Sequence, residues 1–122
     1  MPEKRKVLIV EDEQTLRLIT KDQLEHFGFD VDGAEDGETA LETMKNKRYD
    51  VVLLDIRMPG KDGMEVLKSI REQNLANKVV MLTAVDELKV AKESLELGAN
   101  DFMSKPFDLK NLIACINRVI EE

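Results

Sequence analysis

Five positions in this chain of 122 residues carry side chains that could do chemistry together, and each follows a short apolar run. Glu11 and Asp12 follow Val7-Leu8-Ile9-Val10, and Asp55 follows Val51-Val52-Leu53-Leu54. Thr83 follows Val79-Val80-Met81-Leu82, and Lys105 follows a shorter segment containing Phe102-Met103. Three carboxylates in one pocket repel one another: two unit charges about 4 Å apart interact by roughly 4 kcal/mol at an effective dielectric near 20. Such a site asks for a cation, and a donor set made only of oxygen suits Mg²⁺, with Mn²⁺ as a substitute. A bound ion leaves room for a phosphoryl group, to which a threonine hydroxyl can donate and whose charge a lysine ammonium can neutralise. Phosphoryl transfer needs little beyond positioning and charge stabilisation.

Convergence of these five positions requires a scaffold that aligns the ends of the runs. Residues 7–10, 51–54 and 79–82 are apolar throughout and rich in β-branched side chains, the pattern of strands buried on both faces of a parallel sheet. Residues 29–32 alternate, which suits an edge strand with one wet face, and residues 99–104 form a fifth, short candidate. Helical patterns lie between them. Residues 14–27 place Leu16, Ile19, Gln23 and Phe27 on one stripe before Gly28; residues 37–46 group Ala40, Leu41 and Met44; residues 63–73 space Met64, Leu67 and Ile70 by three. Residues 87–97 end at Gly98, suited to the left-handed position after a helix. The last helix starts behind Asp108 as N-cap and carries Leu109, Leu112, Ile113, Ile116, Val119 and Ile120 on its apolar face.

This alternation predicts an α/β fold, a doubly wound five-stranded parallel sheet with helices on both faces. The carboxyl ends of such strands share one edge, where open α/β proteins bind ligands. Residues as far apart as Glu11 and Lys105 would meet there. Residues 1–122 read as a single domain, without a repeat, a low-complexity segment or a linker.

Composition narrows the function classes. The 18 basic and 25 acidic residues give a net charge of −7, which argues against direct nucleic-acid binding. No apolar run approaches the roughly 20 residues of a membrane span, and the run behind the basic start is too short for a secretory signal. The lone Cys115 excludes an internal disulfide and a thiolate zinc cluster, and it points to a reducing compartment. The expectation is a cytoplasmic protein without membrane contact, a monomer or a weak dimer. Cys115 reads as lying off the main apolar stripe of the last helix, and His26 as exposed near a helix end.

Val10-Glu11-Asp12, Leu54-Asp55-Ile56-Arg57-Met58-Pro59-Gly60-Lys61-Asp62-Gly63, Thr83-Ala84 and Lys105-Pro106-Phe107 together resemble the receiver domain of two-component response regulators. The resemblance covers essentially the whole chain. The ending without a further domain, and residues 84–98, look most like stand-alone receivers of the chemotaxis and sporulation-phosphorelay type. The resemblance implies a flavodoxin-like receiver fold with strand order 2-1-3-4-5 and five helices. It makes Asp55 the phosphoacceptor, charged by a sensor histidine kinase. Asp12 would bind Mg²⁺ directly and Glu11 through water, with Asp55 and the main-chain carbonyl of Arg57 completing the protein ligands. Thr83 and Lys105 would hold the phosphoryl group, and the Lys105-Pro106 bond would be cis. Thr83 and Phe102 would move inward on phosphorylation and remodel the face of the fourth helix, fifth strand and fifth helix. Besides the kinase, a phosphotransfer protein or another protein target would be a partner.

The chain departs from the family's commoner pattern at three kinds of position. Glu11 replaces the usual Asp, Phe102 stands where Tyr is frequent, and Arg57 and Val85 occupy variable positions that tune phosphate lifetime. The alternative is a Mg²⁺-dependent aspartyl-phosphate phosphohydrolase. Phosphatases of similar fold carry a second Asp two residues after the nucleophile, where this chain has Arg57, so a switch is expected and not a conventional turnover enzyme. A nucleotide or flavin module is disfavoured because no Gly-rich loop follows Val10.

Overall fold

The structure is a computed structural model that describes residues 4–60 and 62–122, together with all side chains in that span except that of Val85. Lys61 of the Asp55 motif lies outside the described residues. The strands are β1 (Lys6–Val10), β2 (Asp30–Ala34), β3 (Tyr49–Asp55), β4 (Ala76–Thr83) and β5 (Asp101–Ser104). The helices are α1 (Gln14–His26), α2 (Gly37–Asn46), α3 (Gly63–Gln73), α4 (Leu88–Glu96) and α5 (Leu109–Glu121). All strand pairs are parallel, in the order β2-β1-β3-β4-β5. This is the doubly wound, flavodoxin-like arrangement that the alternating pattern and the family resemblance predicted.

The continuous apolar runs divide by strand periodicity into two cores. Leu8, Val10, Val52, Leu54 and Met81 face α2, α3 and α4, where Ala40, Met44, Leu67 and Ile70 meet them. Val7, Ile9, Val51, Leu53 and Leu82 face α1 and α5, against Leu24, Leu112 and Ile116. Fully burying one such side chain stabilises the fold by about 1.5–3 kcal/mol, so both faces of β1, β3 and β4 resist displacement. Aspartates start three of the helices: Asp36, Asp62 and Asp108 accept the amide hydrogens of Thr39, Glu65 and Asn111 at 2.8, 3.0 and 2.7 Å. Each cap satisfies a helix-start donor that has no partner within the helix.

Several elements differ from the sequence pattern. β3 begins two residues early because Tyr49 is fully buried and its hydroxyl donates to Asp32 Oδ2 at 2.6 Å. The edge strand is shifted to Asp30–Ala34, and the fourth helix opens with a 3₁₀ turn over Val85–Glu87. On α1 the apolar stripe was misplaced. Thr20 and Leu24 are buried, whereas Leu18, Ile19 and Phe27 are exposed and Gln23 faces solvent. The buried face is rotated by one residue, about 100°, because a hydroxyl and a single leucine fit beneath the helix. Cys115 also departs from the expectation: it lies within the buried stripe Leu112, Cys115, Ile116 and Val119, and Ile113 and Ile120 flank it half-buried. Burial pushes its thiol up to about 11. Among the described residues, no helix is long and apolar enough to cross a membrane.

Candidate functional site

The register of the sheet lines up the strand ends. Val10 lies opposite Leu54, Asp55 opposite Leu82, and Thr83 opposite Ser104. The residues at or just beyond these positions therefore open onto one cavity of about 500 Å³, lined by Glu11, Asp12, Asp55, Arg57, Glu87 and Lys105 among others. Glu11 continues from β1 with its amide donating to the Ala34 carbonyl at 3.1 Å, and its side chain is buried. Asp55 closes β3 and is also buried, whereas Asp12 is exposed at the mouth.

Lys105 joins the two buried acids. Its Nζ donates to Glu11 Oε1 at 2.6 Å and to Asp55 Oδ2 at 3.0 Å. The other oxygens are held by the main chain, Glu11 Oε2 by the Glu13 amide at 3.3 Å and Asp55 Oδ1 by the Arg57 amide at 3.3 Å. Burial alone would lower the pKa of Lys105, but its hydrogen bonds to Glu11 and Asp55 and their negative charge outweigh it and hold the ammonium above its ordinary range. One carboxylate oxygen from each of Glu11, Asp12 and Asp55 lies within 4.8 Å of the others. Three acids facing one ammonium leave a surplus of negative charge. This all-oxygen donor set fits a hard divalent cation.

The loop behind Asp55 is shaped by Gly63. A Cβ there would come to 2.7 Å from Ile56 Cα and closer still to the Asp55 carbonyl oxygen. Only glycine lets α3 start directly under Asp55, with the Gly63 amide donating to the Ile56 carbonyl at 2.8 Å. The side chain of Arg57 is exposed and pairs with Glu87, whose carboxylate is buried.

Not every expected residue faces the carboxylates. Thr83 is buried at the end of β4, and its hydroxyl donates to the Ala84 carbonyl at 3.1 Å. Its own carbonyl accepts the Lys105 amide at 2.6 Å, so Thr83 meets Lys105 through the main chain. Phe102 is half-buried, paired in register with Met81, and packs on the α2–α3–α4 side. The Lys105-Pro106 bond is cis. His26 is exposed at the end of α1, with its ring edge-on to Phe27. Glu13 and Glu87 also line the cavity and were missed. Glu13 had a visible signal as the third acid of Glu11-Asp12-Glu13; Glu87, inside a polar helical pattern, had none.

Comparison with known proteins agrees with this geometry. Residues 7–117 match the family described as the response regulator receiver domain, and the chain belongs to that family. It is 39% identical over 116 residues to the alkaline phosphatase synthesis transcriptional regulatory protein PhoP of Bacillus subtilis, covering 95% of this chain and 48% of that protein. The response regulator ArlR of Staphylococcus saprophyticus is 38% identical over 115 residues, 94% of this chain and 52% of that protein. The chain thus spans about half the length of these curated relatives. Among solved structures, the receiver domain of the Francisella response regulator 1452 superposes with a TM-score of 0.89 at 34% identity, covering 97% of this chain and 98% of that one. The chemotaxis protein CheY4 of Vibrio cholerae gives 0.89 at 31% identity, with 95% and 98% covered.

Proposed function

We propose that this chain is a phosphorylation switch of two-component or phosphorelay signalling, in which Asp55 takes a phosphoryl group from a histidine kinase in a Mg²⁺-dependent reaction. The observation that carries the reading is the Lys105 ammonium, held between the carboxylates of Asp55 and Glu11 with Asp12 alongside. Asp12, Asp55 and the carbonyl of Arg57 would hold the metal, and Glu11 would reach it through water; Mn²⁺ would substitute. When bound, the ion offsets the surplus carboxylate charge and the charge on the phosphoryl oxygens.

The chain's own residues then supply the remaining steps. An oxygen of Asp55 attacks phosphorus, the P–N bond of the phosphohistidine breaks, and its electron pair stays on the imidazole nitrogen. Lys105, kept protonated by its acidic neighbours, pairs with the transferred group. The Thr83 hydroxyl exchanges the Ala84 carbonyl for a phosphoryl oxygen. That inward turn leaves room behind Thr83 for Phe102, which changes the surface of α4, β5 and α5 that protein partners read. The kinase, and a phosphotransfer protein or other target, would meet the chain in the cytoplasm.

A phosphohydrolase would need an acid two residues after Asp55. That position holds Arg57, paired with Glu87, which counts against turnover. The test is intact mass after incubation with acetyl phosphate, with and without Mg²⁺, beside Asp55→Ala. The expected result is a Mg²⁺-dependent gain of one phosphoryl group that the variant lacks. Continuous phosphate release at high turnover would instead favour the hydrolase.

A further inference from the structure

Arg17 lies outside the acidic cavity and has no part in the chemistry above, yet it is tied to the cavity's main chain. Its Nη1 donates to the carbonyl oxygen of Glu11 at 2.8 Å, its one side-chain hydrogen bond among the described residues. That carbonyl belongs to the peptide joining Glu11 to Asp12, so both carboxylates on the metal side hang from the peptide plane that Arg17 grips. The stem of Arg17 crosses the edge strand at Gly33, where a Cβ would stand 3.2 Å from Arg17 Cδ and 3.3 Å from Cγ. A glycine inside a strand marks a close approach, and here it is the approach of the arginine stem.

We infer that Arg17 is a positioning residue for the divalent-cation site, fixing the Glu11–Asp12 peptide from outside the ligand shell, with Gly33 as the groove that admits it. The inference rests on the metal reading above. Groups that orient metal ligands characteristically change affinity by about 10- to 100-fold when removed. The sign of the effect separates this role from simple electrostatics. Removing a cation near a Mg²⁺ site should tighten Mg²⁺ binding by Coulomb's law, whereas losing a positioning bond weakens it.

The experiment is calorimetric titration of the full chain with Mg²⁺ at fixed ionic strength, with melting curves in chelator to follow stability separately. Arg17→Met is expected to bind Mg²⁺ about 10-fold more weakly, and Gly33→Ala, which crowds the stem while keeping the charge, to weaken binding in the same direction. Arg17→Lys should recover part of the affinity, because an ammonium can still donate one hydrogen bond across Gly33. Lys21→Met removes a cation of the same helix that pairs with Glu25, and it should leave affinity equal or tighter. Unchanged or tighter binding in both Arg17→Met and Gly33→Ala would overturn the inference while leaving the metal site intact. Absence of saturable Mg²⁺ binding in the parent chain would overturn both.

Discussion

At the amino edge of the sheet, Arg71 donates to the Gly98 carbonyl at 2.8 Å and to Asn100 Oδ1 at 2.8 Å, with the Ala76 and Asn77 carbonyls slightly farther away. Arg48 beside it donates to the Asn74 carbonyl at 2.6 Å and to Asn77 Oδ1 at 2.7 Å. At the carboxyl edge, Lys105 faces carboxylates instead. The pKa directions follow the partners. Burial pulls Arg71 below its ordinary value because its acceptors are neutral, whereas burial of Lys105 is outweighed by the anions around it, which push it up. One edge is a closed set of satisfied hydrogen bonds that holds α3, β4 and the turn before β5 together. The other carries more acid than its cation can neutralise, and a surplus of negative charge on oxygen donors suits a divalent cation.

Substitutions should separate the two edges. The largest loss of stability is expected from Gly63→Ala, about 3 kcal/mol, because the new methyl group overlaps the main chain of Asp55 and Ile56; denaturant unfolding would measure it. Asp12→Ala should do the reverse in chelator, raising stability by about 0.5 kcal/mol as an exposed like charge is removed. The same variant should lose the roughly 2.7 kcal/mol that Mg²⁺ at a hundred times its dissociation constant gives the parent, read as the absence of a Mg²⁺-dependent rise in melting temperature. Arg71→Ala is expected to cost about 2 kcal/mol through its orphaned carbonyls and to leave Mg²⁺ affinity unchanged. An Arg71 variant with altered Mg²⁺ affinity would break the separation of edges.

A further effect is a pH dependence. The folded value of Lys105 is raised above 10.5, so its contribution is complete below that pH and is lost as pH rises through the folded value. Lys105→Met should therefore cost about 1 kcal/mol at neutral pH, a gap that closes only above about pH 10.5. Urea unfolding of parent and variant between pH 7 and 11 would follow it. A gap that closed near neutrality would exclude the ammonium as its source.

The strand cores were legible because an uninterrupted apolar run of this length, bounded by polar residues, fits little besides a strand buried on both faces. The ends of those runs placed Glu11, Asp12, Asp55 and Lys105 at one edge from residue order alone. Side-chain contacts between distant positions were not legible. The pairing of Arg57 with Glu87 and the reach of Arg17 over Gly33 depend on how helices seat on the sheet, which hydrophobic periodicity specifies only within about a residue. The rotated face of α1 and the buried Cys115 are the same failure: Thr20 and Cys115 are buried, and a small polar hydroxyl or thiol does not stand out in an apolar pattern. Tyr49 was missed for a related reason, since its burial depends on Asp32 of β2, two strands away in the sheet, accepting its hydroxyl.

The central claim is that Asp55, and no other carboxylate of the surplus at this edge, carries the phosphoryl group. Treating the acetyl phosphate-charged chain with borohydride, which reduces an aspartyl phosphate to homoserine, and mapping the peptides by mass tests it most directly. The predicted result is homoserine at position 55 alone, only in samples charged in the presence of Mg²⁺. Homoserine at position 12, or none at position 55 in a chain whose intact mass has gained a phosphoryl group, would contradict it.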